Sequence, residues 1–588
     1  MFQLFKHHPV ISFYKPNADA VSLAIEGFDK PLPMSLTADG NWEIKLPQHY
    51  KNLHGREYHF EVHQNNITVQ LADPLAYRTE RLEKKLISRF SDLNYRWQQQ
   101  RFTPPPLSEI VIYETHLPAL TRHSSAKVIN EDHRGTYIGA CSPAVLDHLE
   151  NLNVAVEFLP LHASDKDLGQ DWGYFSTSFR AMRESYAHKS DEINREVMAL
   201  IDAMHCRGIP VILDVVFNHG GELLVKAWGQ DIVYRKHDNG DFCHGSGCGP
   251  TVGTEHPFIR ETIIQTLEHL VKDYRFDGFR FDLGALHDKQ TILEIDRRLP
   301  AHIYLISEPW ALGGTQWGKG DLNGDLANTR WAVWNDDFRE PGKTLLLGMG
   351  DQHNRSRLML GIKGSLKADG GWAQRSQQSI NYLSSHDGNT LTDFVAGDKH
   401  RVFLGILLVL TSQGVPMIGE GSEMMYSKKG DINSYNRSDL NQIDWENAQI
   451  HHDLVDAVAK LIALRKQMPH FSYTRQLIEF DEKVPDWDID WIYPTGYPHK
   501  DNVNAIGYCL RPPSGNLVER DSRSLIILLN GSKTGTNFNL PKGMWKVLVD
   551  GRQIAVNAQG LPDAPLAKQH YFLHSGTGVI LTPVQCID

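Results

Sequence analysis

Arg275-Phe276-Asp277-Gly278-Phe279-Arg280-Phe281-Asp282 and Ile303-Tyr304-Leu305-Ile306-Ser307-Glu308-Pro309-Trp310 decide the fold. Each is a short apolar run, of the kind that forms a buried strand, stopping at a carboxylate: Asp282 in the first, Glu308 in the second. Between them, Thr291-Ile292-Leu293-Glu294-Ile295-Asp296 has the spacing of a helix. Strand, helix and strand at this separation make a βαβ unit, and that connection forces the two strands to be parallel. Both carboxylates then leave the sheet at the same end. In a (β/α)8 barrel that end carries the chemistry, and paired carboxylates there are what glycoside hydrolysis requires.

A single acidic residue after a strand most often caps the following helix. Recurrence argues for more. Val211-Ile212-Leu213-Asp214-Val215-Val216-Phe217-Asn218-His219 is a strand-like run ending in Asn218 and His219. Ile380-Asn381-Tyr382-Leu383-Ser384-Ser385-His386-Asp387 ends in His386 and Asp387. Earlier strands are expected at Ile110 to Glu114 and Val154 to Leu161. Helical spacing covers Ala144 to Leu152, Val197 to Cys206, Ile259 to Val271 and Val402 to Thr411. This alternation predicts an α/β chain whose centre is a (β/α)8 TIM barrel with long loops. A doubly wound open sheet would carry a Gly-rich first turn, and none is in place.

Outside the barrel the grammar is all-β. Val10 to Tyr14, Val21 to Ile25 and Tyr58 to Val62 are strand-like, Asp39-Gly40-Asn41-Trp42 has hairpin-turn chemistry, and Leu71-Ala72-Asp73-Pro74 marks an exit from the sheet. Phe102-Thr103-Pro104-Pro105-Pro106 is a stiff linker. Ser524 to Asn530, Trp545 to Val549 and Gly578 to Leu581 are strands between turn residues. The expected division is an N-terminal β-sandwich over 1–104, the barrel over 105–470 and a C-terminal β-sandwich over 471–588.

Composition sets limits on this reading. The chain has 588 residues, 41% hydrophobic and 22% charged, ordinary for globular proteins. Its net charge of −11 argues against nucleic acid or an anionic membrane as partner and suits a neutral ligand. The 13 Trp and 20 Tyr can serve sugar faces, although large cores use such rings too. Met1 to Pro9 lacks signal-peptide character, and no apolar run is long enough to span a bilayer. Six scattered Cys point to reduced thiols and a cytoplasmic protein. Cys243 and Cys248 lie close together without the partner pair a zinc site needs.

Acetal cleavage needs one carboxylate at the sugar carbon and one acid at the leaving oxygen. Asp282 follows Arg280 by two, so both share a strand face, and the guanidinium favours an ionised nucleophile. Glu308, among other carboxylates, would hold its proton more tightly, as a general acid does. Asp387 beside His386 can bind hydroxyls and add negative charge facing the cationic transition state. Asn218 and His219 are expected at the same ring, and Trp172-Gly173-Tyr174 as an aromatic platform.

These residues carry a resemblance. Asp214 to His219, Gly278 to Asp282, Glu308-Pro309-Trp310 and His386-Asp387 match, in order, the four sequence regions of the α-amylase family of glycoside hydrolases. The resemblance implies a retaining mechanism on α-glucans, with Asp282 as nucleophile, Glu308 as acid/base and Asp387 as transition-state stabiliser. It places Tyr174, Trp172, Asp214, Asn218, His219, Arg280, Trp310 and His386 against substrate. Leu283 to Asp288, Gly245 to Gly249, Trp334 to Arg339 and Asn433 to Trp445 resemble the debranching branch, the pullulanase, limit-dextrinase and isoamylase group. The N-terminal region ending Ala72-Asp73-Pro74-Leu75-Ala76 is similar to that branch's starch-binding module. The YNWGYDP signature is Gln170 to Ser176 here, keeping only Trp-Gly-Tyr. Phe179 and Ala181 lean toward the isoamylase pattern, and Pro250 replaces the usual Asn.

The expected activity is hydrolysis of α-1,6 branch linkages in an α-glucan. An α-1,4-acting amylase or cyclomaltodextrinase-type hydrolase is the alternative, and a non-catalytic glucan-binding protein a third reading. No cofactor is required. Leu286 stands where calcium-binding amylases carry a His, His287 follows as a barrel–helix contact, and a structural calcium elsewhere is left open but not predicted. Oligomeric state is not legible.

Overall fold

The computed structural model describes residues 10–46, 53–83, 85–164, 171–472, 489–494, 503–511 and 523–584. Met1 to Pro9, Gln170 and residues 473–488, just beyond the expected boundary at 470, lie outside the described residues. Eight parallel strands close in chain order into a barrel. They are β1 (Ile112–Thr115), β2 (Ala155–Phe158), β3 (Val211–Val215), β4 (Gly278–Phe281), β5 (Tyr304–Ser307), β6 (Ala332–Trp334), β7 (Ser379–Asn381) and β8 (Val415–Gly419). Every residue of these strands is buried, which is why they are mostly apolar and do not alternate, and why the polar residues they carry, such as Asp214 and Arg280, pair with one another.

Register fixes what the barrel can do. In the β3–β4 pair Asp214 lies opposite Arg280, and in β4–β5 Arg280 lies opposite Ile306. A carboxylate and a guanidinium on facing positions of adjacent parallel strands point to the same side. Gly278 opens β4 because a Cβ there would stand 2.6 Å from the Cβ of Tyr304. The helix preceding β4, Pro257–His269, has Pro at its start and runs into a wide turn, Leu270–Tyr274. Arg275 ends that turn in the left-handed conformation, with its guanidinium 4.2 Å over the Trp97 ring. The helix after β4, Lys289–Arg298, is capped by Asp288, which accepts from the Thr291 N–H at 3.1 Å.

Several strands are shorter than their sequence suggests. β3 stops at Val215, so Asn218 and His219 stand on the loop beyond it, and β7 is only Ser379–Asn381, so His386 and Asp387 also follow as loop. β6 and β8 are not singled out by the sequence. β6 has three residues, and β8 follows the apolar helix Lys399–Thr411 after only Ser412, Gln413 and Gly414.

The chain divides into two compact units, one of residues 1–103, 128–146 and 158–318, the other of 104–127, 147–157 and 319–588. In the first, two β-sheets precede the barrel strands. One joins Val10–Tyr14, Asn41–Lys45 and Ser35–Leu36; the other is built on Ala20–Ile25 and Glu57–Gln64. They face each other through Phe13 and Phe60, stacked with ring centres 4.3 Å apart. The exit expected at Leu71 to Pro74 is a detour, because Arg78–Leu82 and Lys85–Arg89 return to the second sheet. Tyr14 stacks on Phe258 at 3.9 Å, Lys15 Nζ donates to the Ala227 carbonyl at 2.7 Å, and Arg81 pairs with Glu222. This sandwich is therefore anchored to barrel helices by a ring, a hydrogen bond and an ion pair.

In the second unit the C-terminal strands form a six-stranded sheet and a separate pair, Thr536–Asn539 with Phe-containing His570–Leu573. Ile526, Leu528, Trp545 and Leu581 are part of one apolar core. Tyr508 shares a 2.8 Å hydrogen bond with Thr411 at the end of helix Lys399–Thr411. Arg465 reinforces that junction, its buried guanidinium donating to the carbonyls of Leu410, Ser412, Gly414 and Phe471.

Candidate active site

Arg280 is the hub of the first unit's site. It is fully buried, and its Nη1 donates to Asp214 Oδ2 at 2.8 Å and to Asp282 Oδ1 at 3.2 Å. Its Nη2 lies 3.3 Å from Glu308 Oε2. Burial works against the guanidinium's charge, but Asp214, Glu308, Tyr174 and Asp282 together overcome it and push its proton affinity well up. Three carboxylates thus share one cation, which leaves an excess of negative charge where an oxocarbenium-like centre would form.

Asp282 is gripped from both sides. Arg280 holds Oδ1, and the Asn218 amide donates to Oδ2 at 2.8 Å and to the Asp282 carbonyl at 2.7 Å. Asn218 is oriented in turn by His219, whose Nδ1 lies 2.6 Å from Asn218 Oδ1. Burial lowers the His219 pKa, against a smaller upward pull from Asp282, so a neutral imidazole donating from Nδ1 fits this contact. Glu308 Oε2 accepts the Leu283 N–H at 2.8 Å. Leu283, the residue after Asp282, is left-handed at φ 42°, which turns its N–H toward the next strand's carboxylate. Glu308 therefore meets a cation and a backbone donor as well as the neighbouring carboxylates.

Most of the expected sugar-contacting set is buried. Asp214, 2% exposed, is taken up by Arg280 and by the Tyr174 hydroxyl, which donates to Oδ2 at 2.6 Å. Asn218 and His219 are also buried. Trp172 is 4% exposed, so its ring belongs to the interior and the expected platform is reduced to half-buried Tyr174. Gly173 between them is left-handed, and a Cβ there would come within 2.9 Å of the Pro160 carbonyl. Trp310 is half-buried on the coil after β5. His287 is fully buried, its ring edge-on to Phe281, in line with a barrel–helix contact.

In the second unit, His386 is held by Glu114 at the end of β1. Glu114 Oε2 accepts the His386 backbone N–H, and Oε1 meets Nδ1, each at 2.7 Å. His386 Nε2 faces Asp387 Oδ2 at 3.6 Å, and the Asp387 side chain is 63% exposed. Neither Glu114 nor Leu283 is recognisable from sequence as part of a site. Glu114 ends the run Ile110 to Glu114, but the sequence does not name its partner 272 residues away, and a backbone N–H has no residue signature.

No family model matches the chain. A glycogen debranching enzyme from Dickeya chrysanthemi is 31% identical over 534 residues, covering 78% of this chain and 76% of that protein. The chain belongs to the debranching branch of the α-amylase family. It is a glycoside hydrolase. A pullulanase from Bacillus subtilis strain 168 is 30% identical over 473 residues, 71% of this chain and 64% of that one. A solved pullulanase from Bacillus acidopullulyticus superposes with a TM-score of 0.84 at 25% identity, covering 97% of this chain and 73% of that chain.

The segments that resemble the debranching branch are structural supports of the barrel loops. Asn335 donates to Ser365, Ser379 and Asn381 at 3.0, 2.8 and 3.2 Å, tying β6 to β7. Trp334 packs 4.9 Å from Tyr382 and 6.3 Å from His386, and Arg339 donates to the Tyr382 hydroxyl at 2.8 Å. In the Gly245 to Gly249 loop, the Gly245 carbonyl accepts the Leu312 N–H at 3.0 Å, and burial together with Asp282 pushes the Cys248 thiol up. In the late loop, Ser434 and Asn441 are cross-bonded at 2.7 and 2.8 Å. Among the described residues, no group of three or more His, Cys, Asp or Glu could hold a metal ion, and no helix is long and apolar enough to cross a membrane.

Proposed function

We infer that this debranching-family chain hydrolyses α-1,6-glucosidic branch linkages in α-glucans such as pullulan, limit dextrins or trimmed glycogen. Asp282 attacks the anomeric carbon while Glu308 protonates the departing glycosidic oxygen. The covalent glycosyl-enzyme is then hydrolysed by water that Glu308 deprotonates, so configuration is retained. Asp387 supplies further negative charge toward the oxocarbenium-like state, and His386 binds sugar hydroxyls beside it. Arg280, Asp214, Asn218 and His219 act as positioning residues for the two principal carboxylates, and Tyr174 and Trp310 border the sugar.

The observation that carries this reading is the single guanidinium of Arg280, 3.2 Å from Asp282 and 3.3 Å from Glu308, on adjacent strand ends. Asp387 follows β7 of the same parallel barrel, whose carboxyl ends form the face that bears chemistry in such folds. The reading includes a sandwich over 1–104, a catalytic barrel over 105–470 and a C-terminal β-domain over 471–588. It also places the enzyme in the cytoplasm, which the six scattered Cys support.

Separate overnight digestions of pullulan and amylose, with products resolved by size, test it. Maltotriose from pullulan and little product from amylose is expected. Panose from pullulan, or products from amylose alone, would replace the α-1,6 assignment with α-1,4 cleavage.

A further inference from the structure

The geometry points to Glu114 as a positioning residue for the reaction, setting His386 through its backbone N–H and imidazole Nδ1 so that Nε2 addresses the sugar beside Asp387. This rests on the reading of His386 and Asp387 as site residues given above. Glu114 is 3% exposed, so its carboxylate is in the interior and needs strong partners. It spends both oxygens on one residue, 272 positions away in the chain. A carboxylate serving only to finish a loop would need just the backbone N–H. The second bond, to Nδ1, fixes ring orientation and tautomer, as carboxylates do for histidines in catalytic and metal sites.

The surroundings reinforce the grip. Lys428, also buried, donates from Nζ to the His386 carbonyl at 2.7 Å. His386 is thus held at its N–H, its carbonyl and its ring. Behind Glu114, the Glu420 backbone N–H donates to the Glu114 carbonyl at 2.9 Å. Glu420 Oε2 accepts from the Thr115 hydroxyl at 2.7 Å and the His116 N–H at 3.0 Å, which pins the end of β1. Charged groups near His386 include Glu114, Asp387 and Lys428, with Glu420 behind. The Trp334 ring supplies the apolar wall. Nε2, on the opposite side of the ring from Glu114, is the nitrogen turned toward Asp387.

A double-mutant cycle on pullulan tests this, using Glu114→Ala, Glu114→Gln, His386→Ala and the Glu114→Gln/His386→Ala pair, with thermal midpoints as a check on folding. Glu114→Ala is expected to lower kcat about 100-fold with a smaller change in KM, the loss typical of a misplaced catalytic group. Glu114→Gln, which keeps one acceptor oxygen, should recover about tenfold of that. The pair should be no slower than His386→Ala alone, because Glu114 then has nothing left to orient. Multiplying losses in the pair, or Glu114→Gln at wild-type kcat, would overturn the assignment. If Glu114→Ala does not fold, the isosteric Glu114→Gln arm decides. Asp282→Asn separates the two levels: if it retains full turnover, the catalytic reading fails, not the Glu114 assignment. In Asp282→Asn, maltotriose affinity can replace kcat as the quantity in the cycle.

Discussion

The Arg280 cluster and the His386 corner solve opposite electrostatic problems. At Arg280 one buried cation is shared by Asp214, Asp282 and Glu308. At His386 a buried carboxylate, Glu114, holds an imidazole, while Asp387, the carboxylate proposed to face the sugar, is 63% exposed. The first region is mostly buried and preorganised, so its carboxylates are already in place. The second fixes the residue before Asp387 and leaves Asp387 itself to be completed by substrate. The difference predicts that damage to the Arg280 cluster is felt in stability and chemistry together, and damage at exposed Asp387 in chemistry alone.

The largest expected effects are at the two principal carboxylates. Asp282→Asn and Glu308→Gln should each lower turnover of pullulan by at least about 10⁴-fold, the scale seen when a member of a catalytic set is removed. Maltotriose binding should survive in both. Turnover near wild type in either variant would remove that residue from the mechanism. Arg280→Met breaks the comparison from the other side. It leaves three carboxylates facing one another without a cation, and removing one partner of a buried ion pair typically costs about 3–5 kcal/mol. Its thermal midpoint should therefore fall steeply along with activity. An unchanged midpoint would mean that the cluster relaxes more readily than its burial implies.

Asp387→Asn sharpens the contrast. Removing one transition-state charge should cost about 10²–10³-fold in kcat. Because the side chain is largely in solvent, the thermal midpoint should stay near that of the parent protein. A large loss of stability would place Asp387 in a structural network and erase the distinction between the regions.

The contrast also marks what was legible in the sequence. Asp282, Glu308, His386 and Asp387 could be found because each follows an apolar run, and a change from apolar to polar at a strand end is a one-dimensional signal. Arg280 was readable as a partner of Asp282 because strand geometry places residues two apart on one face. Its bond to Asp214 depends on register between β3 and β4, which sequence spacing does not specify. Glu114 was hidden for the same reason, with its partner on a distant strand's loop. Trp172 shows the reverse limit, since a motif gives the ring but not its exposure, which is 4%. The strands β6 and β8 escaped notice because three buried residues, or five that trail an apolar helix, carry no period of their own. Arg78–Leu82 and Lys85–Arg89 carry no alternation to read, because Arg78 and Thr79 are both buried while Leu82 is exposed, and Leu86, Ile87 and Ser88 are buried in succession.

The smallest expected effect concerns Glu420, which stands behind Glu114. Burial is the main cause pushing its pKa up, from 4.5 to about 7; hydrogen bonds from Thr115 and His116 pull the other way, and the charge of Glu114 adds to the rise. Between those two values the unfolded chain has released the proton and the folded chain has kept it. The folded state then binds more protons, so stability falls as pH rises through this window and levels off above it. Glu420→Gln keeps an acceptor for Thr115 and His116 but cannot ionise. Its thermal midpoint relative to the parent should therefore improve progressively from about pH 4.5 to pH 7 and hold constant beyond. Parallel melting curves for the two proteins across that range test this directly. A constant difference would mean that Glu420 is already charged in the folded protein at the low end. The negative charge behind Glu114 would then be permanent, and the His386 corner would resemble the Arg280 cluster more closely than its geometry suggests.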